Sequence, residues 1–275
     1  AQARPVEHEL EDELPRMRVD RRHRSPSLPW AARAPGSNPP APVRSRPRCV
    51  LGAVRTTPGG VWAERASGCT TPCVRGFVDL HCHWVAGIDD GVKTAEEGVA
   101  LLRALRQAGF DRVVATPHMR PGMFDNDRRA LEGAFAAMCT RLASSEDLPD
   151  VHLSSEHFLD DVVFARLVKG HGLPYPHLGP EPQAASGPGA PTPRRGVLVE
   201  LNPRGFPAQL QHRLFDLGRA GLRPVLAHPE RYEPVWRDDA CLDPLLDAGA
   251  CLLLDVCALV GKYGRASRRA AEKLL

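Results

Sequence analysis

The chain has 275 residues, of which 43% are hydrophobic, so it can bury the core of a full α/β domain. Residues 1–75 hold 13 arginines, no lysine and 7 acidic residues, a net charge of +6, whereas the whole chain carries only +3, which leaves residues 76–275 at −3. This second part has no basic excess, which argues against a nucleic-acid partner. Eight cysteines without a framework spacing, and no apolar run long enough to enter a bilayer, predict a reduced, cytoplasmic protein.

Residues 1–75 are predicted to form a disordered extension. They contain 11 prolines and no sustained apolar periodicity, so they cannot bury enough surface to offset the entropy of ordering. A basic arm for acidic partners is the alternative interpretation. Cys69 and Arg75 have the separation found in cysteine-dependent phosphatases, but the residues between them include a proline and no glycine. Such a segment does not suit a phosphate-binding loop, and we interpret the spacing as coincidence.

From Gly76 onward, short apolar runs alternate with amphipathic segments, which predicts βα units around a parallel sheet. Strands are expected near residues 76, 112, 151, 196, 223 and 250. Helices are expected over residues 94–109, 126–142, 160–168, 207–220 and 242–248, and in a last segment that reaches residue 275. Thr94 and Glu97 have the spacing of a capping box, and Gly109 marks the end of that helix. The proline-rich segment 174–195 is predicted to be a flexible surface insert.

The first predicted strand ends in a pair of histidines, His81 and His83. Residues two apart in a strand point to the same side, so the two imidazoles can share one target. With a nearby carboxylate such as Asp90, they suit a divalent transition metal better than calcium or magnesium. Taken alone, such a pair is more often two hydrogen-bonded histidines.

Further candidate ligands directly follow other predicted strands: His118, Glu156, Glu200 and His228. In a barrel of parallel strands all the carboxyl ends open on one face, so these side chains would converge. Each has an ordinary alternative, as a hydrogen-bonded loop histidine, a helix start or the partner of an arginine. Together, however, they would leave buried carboxylates that cost several kcal/mol each without a cation. The pattern therefore predicts a metal centre.

These residues and their surroundings resemble the bacterial capsule-type protein-tyrosine phosphatases (CpsB/CapC) of the polymerase and histidinol phosphatase (PHP) superfamily. The resemblance covers residues 76–275. The matching motifs, in order, are Asp79-Leu80-His81-Cys82-His83, Gly87-Ile88-Asp89-Asp90-Gly91, Ala115-Thr116-Pro117-His118 with Arg120 and Gly122-Met123-Phe124, Glu156, Leu198-Val199-Glu200-Leu201, Ala227-His228-Pro229-Glu230-Arg231-Tyr232, and Leu259-Val260-Gly261-Lys262-Tyr263-Gly264.

The resemblance implies an α/β fold, a distorted, TIM-like (β/α)7 PHP barrel, with a cluster of up to three divalent metal ions. Manganese is the expected metal, with iron or zinc as alternatives. Arg120 and Arg231 would grip the phosphoryl oxygens through forked hydrogen bonds. The implied metal ligands are His81, His83, Asp90, His118, Glu156, Glu200 and His228, and the choice of Glu156 or Glu200 as a bridging ligand stays open.

The activity implied by the resemblance is hydrolysis of phosphotyrosine by metal-activated water, with a bacterial tyrosine kinase of capsule or exopolysaccharide export as the partner. A PHP phosphoesterase for a small phosphometabolite such as histidinol phosphate is one alternative, and a truncated, non-catalytic metal-binding partner protein is another. The chain ends before the Ser-Asp-x-His-type motif that closes the family's metal site, so we expect a domain truncated at its C-terminus. Asp255 also stands where the family usually has an amide.

Overall fold

A computed structural model describes residues 50–53, 75–178 and 194–275, with the backbone alone described for residues 50–53. Nine strands and seven α-helices lie in these ranges. The strands are β1 (Val50–Ala53), β2 (Phe77–Cys82), β3 (Phe110–Ala115), β4 (His118–Met119), β5 (Asp150–Leu153), β6 (Glu156–Phe158), β7 (Arg195–Glu200), β8 (Leu222–Ala227) and β9 (Cys251–Asp255). The helices are α1 (Ala95–Gln107), α2 (Arg128–Leu142), α3 (Asp161–Val168), α4 (Leu210–Arg219), α5 (Glu233–Arg237), α6 (Asp243–Asp247) and α7 (Gly264–Leu274).

All paired strands among the described residues run parallel, in two sheets. One sheet has six strands in the order β1-β9-β8-β7-β6-β4, and the other has the order β2-β3-β5. The mixed α/β class with parallel sheets is therefore confirmed. Hydrogen bonds among the described strands do not join the two sheets into one ring, so the closed seven-stranded barrel stays a prediction.

The six predicted strands are present as β2, β3, β5, β7, β8 and β9. The three additional strands are short, and two of them, β4 and β6, have only two and three residues, too few to show a period in the sequence. Strand β1 lies inside the range that the sequence predicts to be disordered. It pairs with β9 from Val50 opposite Leu252 to Ala53 opposite Asp255, and so covers the outer edge of that strand.

Helix α1 begins and ends close to the predicted residues. The Thr94 hydroxyl accepts a hydrogen bond from the Glu97 N–H, and the Glu97 carboxylate accepts one from the Thr94 N–H, each at 3.2 Å, which confirms the capping box. Gly109 has a φ of +101°, a conformation that favours glycine, and it turns the chain directly into β3. Of the predicted surface insert, residues 179–193 lie outside the described residues.

The larger sheet is buried on both faces, as its apolar strands predict. On one face Leu198, Val225, Ala227, Cys251 and Leu253 pack with Leu80 and Tyr175. The other face, which includes Val197, Val199, Leu226, Leu252 and Leu254, packs against helix residues such as Leu214 and Leu217. Polar side chains are buried where these strands end, and this is where the site lies.

Among the described helices, none has the length and apolar character needed to cross a membrane.

Candidate metal centre

The predicted ligands lie at or shortly after the carboxyl ends of five strands, β2, β3, β5, β7 and β8, and His118 and Glu156 also begin the short strands β4 and β6. His81 is the fifth residue of β2, and His83 is the first residue after that strand. Their Nε2 atoms are 3.2 Å apart, as expected for two strand residues that share one target. Strands β4 and β6 bring His118 opposite Glu156 in register. Glu200 ends β7 and His228 directly follows β8.

The Glu156 carboxylate is the centre of this arrangement and is fully buried. Three imidazole nitrogens surround its Oε2 atom: His81 Nε2 at 3.0 Å, His83 Nε2 at 3.2 Å and His118 Nδ1 at 3.3 Å. His228 Nε2 lies 2.8 Å from the other oxygen, Oε1. A single carboxylate thus brings together four histidines from three separate segments of the chain.

Two further carboxylates extend the cluster past His118. Glu200 Oε2 lies 3.7 Å from His118 Nδ1, and Asp90 Oδ1 lies 3.4 Å from His118 Nε2. Three groups of possible ligands result, each with its ligand atoms within 4.8 Å of one another: His81, His83 and Glu156; His83, Asp90 and His118; and His118, Glu156 and Glu200. The structure therefore brings together all seven sequence-predicted ligand residues, with His228 joined through Glu156.

The donor atoms fit a cluster of divalent metal ions. Three imidazole nitrogens share one carboxylate oxygen, which has only about two lone pairs to offer, so hydrogen bonds alone satisfy this arrangement poorly. A cation accepts lone pairs from nitrogen and oxygen alike, and this nitrogen and oxygen set suits a transition metal such as manganese, iron or zinc. The geometry does not select one of these metals.

The protonation states of His228 and Glu156 also suit metal binding. Burial lowers the pKa of His228 to about 3, although the hydrogen bond to Glu156 opposes this shift, so its ring is neutral near pH 7. Burial alone would raise the pKa of Glu156, but the charges of His81 and His118 and the hydrogen bond from His228 hold it well below its ordinary value. A neutral imidazole and an ionised carboxylate are the forms that bind metals.

Asp89 is a site residue that the sequence analysis missed in favour of its neighbour Asp90. Asp89 is 6% exposed and its Oδ2 atom lies 2.6 Å from His83 Nδ1, whereas the Asp90 side chain is 55% exposed. A carboxylate on the far nitrogen of a metal-binding imidazole fixes the orientation of the ring. The Asp89-Asp90 doublet was the only signal in the sequence, and it does not tell which of the two residues turns inward.

His228 has a left-handed backbone conformation, with φ +36° and ψ +58°. This conformation is uncommon for a residue other than glycine and costs of order 1–3 kcal/mol. The His228 N–H donates a hydrogen bond of 2.8 Å to the Leu253 carbonyl, which fastens the turn to β9. The turn directs the imidazole to Glu156 and starts the short 3₁₀-helix Pro229–Arg231.

Both predicted phosphate-binding arginines lie within three residues of a predicted ligand, and each guanidinium lies over an aromatic ring. The Arg120 guanidinium carbon is 4.0 Å from the centre of the Phe158 ring, and its Nη1 atom is 3.7 Å from Glu200 Oε2. The Arg231 guanidinium carbon is 4.7 Å from the centre of the Tyr263 ring. Neither ring was predicted, because each comes from another segment of the chain.

Buried acidic residues continue from the centre toward Arg231. Burial is the main cause that raises the pKa of Glu230 to about 8, so this carboxyl group is mostly protonated at pH 7. Asp255 is 1% exposed and accepts a hydrogen bond from the Tyr263 hydroxyl at 2.7 Å. The charge of Arg231 acts on Glu230, and Asp255 bonds the Tyr263 ring over which the Arg231 guanidinium lies.

The sequence matches the profile of a protein family described as "Capsular polysaccharide synthesis, CpsB/CapC", over residues 77–174 and 192–275. The chain is 24% identical to the tyrosine-protein phosphatase YwqE of Bacillus subtilis over 195 residues, which are 69% of this chain and 68% of the relative. It is 42% identical to the tyrosine-protein phosphatase CpsB of Streptococcus agalactiae over 174 residues, which are 63% of this chain and 65% of the relative. The chain thus spans about two thirds of the length of these relatives.

A solved structure shares the fold, with a TM-score of 0.62 and 24% sequence identity, over 72% of this chain and 74% of the other. It comes from work on YwqE from Bacillus subtilis and CpsB from Streptococcus pneumoniae, described as metal-dependent tyrosine phosphatases. The family profile covers most of the described residues, including all the predicted ligands. The chain belongs to the CpsB/CapC family.

Proposed function

We propose that this protein is a metal-dependent tyrosine phosphatase that hydrolyses phosphotyrosine in proteins. The observation that carries the proposal is the convergence of four imidazoles on the buried Glu156 carboxylate. Arg120 lies 3.7 Å from Glu200 at the same centre, and the charge of Arg231 acts on His228. Relatives in the family are named tyrosine-protein phosphatases, which supports the same activity here. The two parallel sheets would together form a distorted, TIM-like (β/α)7 PHP barrel that opens at this site.

The predicted ligands would hold a divalent metal cluster: His81, His83, Asp90, His118, Glu156, Glu200 and His228. Such ions, when bound, lower the pKa of water and stabilise negative charge on phosphoryl oxygens. Asp89 keeps the His83 ring in its binding orientation. Manganese is the proposed metal, with iron or zinc as alternatives.

The two arginines would bind and orient the phosphoryl group. Each guanidinium offers several N–H donors in one plane, which match two phosphoryl oxygens at once. Arg120 is two residues after His118, which begins β4, and Arg231 is three residues after His228, which follows β8, so the two arginines come from different strand segments. The Phe158 ring lies beneath Arg120 and the Tyr263 ring beneath Arg231, so each guanidinium is supported by a cation–π contact.

The proposed unit of function is the domain of residues 76–275, with residues 1–75 as an extension and residues 174–195 as an insert. The proposed partner is a phosphotyrosine protein, with a bacterial tyrosine kinase of capsule or exopolysaccharide export as the candidate. The proposed location is the cytoplasm.

The test combines metal analysis of the purified protein with hydrolysis of a phosphotyrosine peptide. We expect bound metal, and loss of turnover on chelation or in His83→Ala. The matched control is Cys69→Ser, at a cysteine outside the described residues, which should keep full activity because the proposed chemistry needs no thiol. Loss of activity in Cys69→Ser with metal still bound would overturn the proposal.

Histidinol phosphate, tested in parallel, separates the proposed function from its alternatives. A clear preference for histidinol phosphate over the peptide would indicate a small-metabolite phosphoesterase. Absence of both activities in the metal-loaded protein would indicate a binding protein for a kinase.

A further inference from the structure

We infer that Tyr263, anchored by Asp255, is a positioning residue that holds Arg231 ready for the phosphoryl group. The inference rests on the proposed function, because it assigns to Arg231 the role of a phosphate-binding group. It goes beyond that function in assigning a role to two residues outside the proposed ligands and the phosphate-binding arginines. Their contacts set the fraction of time that the Arg231 guanidinium spends in the orientation that binds phosphate.

Asp255 is held rigidly at the end of β9. Its Oδ1 atom accepts a hydrogen bond from the Cys257 N–H at 3.0 Å, and its Oδ2 atom accepts one from the Tyr263 hydroxyl at 2.7 Å. Both carboxylate oxygens are engaged and the residue is 1% exposed, so the side chain cannot turn away. The Tyr263 ring is thereby fastened at its hydroxyl to a strand and at its backbone to the start of α7.

The fastened ring forms a platform for Arg231. The guanidinium carbon lies 4.7 Å from the ring centre, well within the range of a cation–π contact. Stacking on a ring face uses none of the guanidinium N–H groups. Accordingly, the buried Nη1 atom of Arg231 has no hydrogen-bond partner in the part of the chain that the structure describes. A buried donor without a partner is costly, and an anion at the site would remove that cost.

Arg120 provides an internal comparison. It also lies over an aromatic ring, that of Phe158, but its Nη1 atom is 3.7 Å from the Glu200 carboxylate, so it already has an anionic neighbour. The Phe158 ring has no hydroxyl with which to anchor it. Arg231 is therefore the arginine whose placement depends most on the ring beneath it, and Tyr263 is the residue to test.

The expected benefit of this platform is preorganisation. A free arginine side chain populates many rotamers, and each substrate that binds must first select the productive one. The Tyr263 ring, which is hydrogen-bonded to the buried Asp255 carboxylate, restricts Arg231 to fewer of these rotamers. Loss of the ring should therefore reduce kcat/KM and the affinity for phosphate while metal binding is unchanged.

The experiment is a double-mutant cycle on the metal-loaded full chain. Tyr263→Leu and Tyr263→Phe are each made in the wild type and in Arg231→Ala, and kcat, KM, metal content and the affinity for inorganic phosphate are measured. In the wild type, Tyr263→Leu should lower kcat/KM by roughly threefold to thirtyfold, and Tyr263→Phe by less, because it keeps the ring and loses only the anchor. In Arg231→Ala neither change should cause a further loss.

Phe158→Leu is the matched control, since it removes the ring under the other arginine. Its effect should add to that of Arg231→Ala and should disappear in Arg120→Ala. The inference would be overturned if Tyr263→Leu lowered kcat/KM as much in Arg231→Ala as in the wild type. It would also be overturned if Tyr263→Leu left kcat/KM unchanged while Arg231→Ala lowered it.

Failure of the proposed function gives a different result. In that case the wild type would not hydrolyse the phosphotyrosine peptide, and the cycle would be measured on the binding of inorganic phosphate alone. Non-additive loss of phosphate affinity would still support the positioning role, and additive loss would refute it. Thermal melting of Tyr263→Phe, which keeps the packing of the ring, shows whether a fall in activity comes from loss of fold.

Discussion

Asp89 Oδ2 lies 2.6 Å from His83 Nδ1, and the same carboxylate oxygen accepts a hydrogen bond of 3.0 Å from the His118 N–H. The other oxygen, Oδ1, accepts a hydrogen bond from the Gly91 N–H at 2.9 Å. One buried carboxylate thus holds an imidazole from the β2 segment and the backbone at the start of β4. Burial alone would raise the pKa of Asp89, but the hydrogen bond and charge of His83 lower it below the ordinary value.

Asp89→Asn should weaken metal binding without unfolding the protein. The amide keeps the shape of the carboxylate but removes the charge that orients and polarises His83, a loss that typically costs about 10- to 100-fold in metal affinity. Competition with a metal chelator measures this change, and circular dichroism checks the fold. An affinity equal to that of the wild type would show that Asp89 has no role in the metal centre.

Gly91→Ala should also damage the site, for a steric reason. An added Cβ atom would lie 2.2 Å from the His83 carbonyl oxygen and 2.5 Å from the His83 Cβ, so the loop must move. We expect reduced metal content and a lower melting temperature. Gly133→Ala is the control, because its Cβ meets nothing within 4 Å in helix α2, and alanine there should stabilise the helix by roughly 0.5–1 kcal/mol. Equal metal content in both variants would show that the added Cβ atom at residue 91 does not displace the loop next to His83.

Removal of either arginine should reduce turnover and leave the metal in place. Arg120→Ala or Arg231→Ala is expected to lose on the order of 2 to 4 kcal/mol of transition-state stabilisation, because forked contacts to a transferring phosphoryl group act mainly there. Steady-state kinetics with a phosphotyrosine peptide, together with metal analysis, measures both quantities. Loss of metal would mean that the residue supports the ligands, and for Arg120 the contact with Glu200 is the route by which this would happen.

Tyr175 should stabilise the fold in a pH-dependent way. Its hydroxyl donates a hydrogen bond of 2.8 Å to the Leu80 carbonyl, and burial raises its pKa well above the ordinary value of 10.0. A phenol with a raised pKa stabilises the folded state fully below the pKa of the unfolded chain, and this contribution is lost as the pH rises toward the folded-state pKa. Tyr175→Phe should cost about 1 to 3 kcal/mol at pH 7, and the difference from the wild type should shrink above pH 10. Denaturant unfolding at both pH values measures it, and a constant difference would contradict the assignment.

Strand β1 should protect the edge of β9. A chain that lacks residues 1–53 loses the pairing of Val50–Ala53 with β9, so the N–H and C=O groups along that edge become available to other chains. We expect a lower melting temperature and more self-association in sedimentation than in a control that lacks only residues 1–45. Identical behaviour of the two shortened chains would show that β1 contributes nothing to stability.

The amino-acid sequence by itself determined the longer strands, most of the helices and the candidate ligand residues that the fold brings together. These features are local, because burial imposes a period on each apolar run and parallel strands place the residues at their ends on one edge. The His81 and His83 pair is an example: two-residue spacing in a strand already directs both imidazoles to one side, and their Nε2 atoms are 3.2 Å apart. The capping box of α1 is equally local and was predicted from Thr94 and Glu97 alone.

Only the tertiary structure decided which neighbour supports which functional group. Asp89 and Asp90 are adjacent and chemically identical in the sequence, and the packing of the loop against His83 buries the first and exposes the second. Tyr263 reaches Arg231, and β1 reaches β9, across many residues of intervening chain. Such contacts follow from how whole elements pack, and neither composition nor period carries information about the distance between segments that meet only after folding.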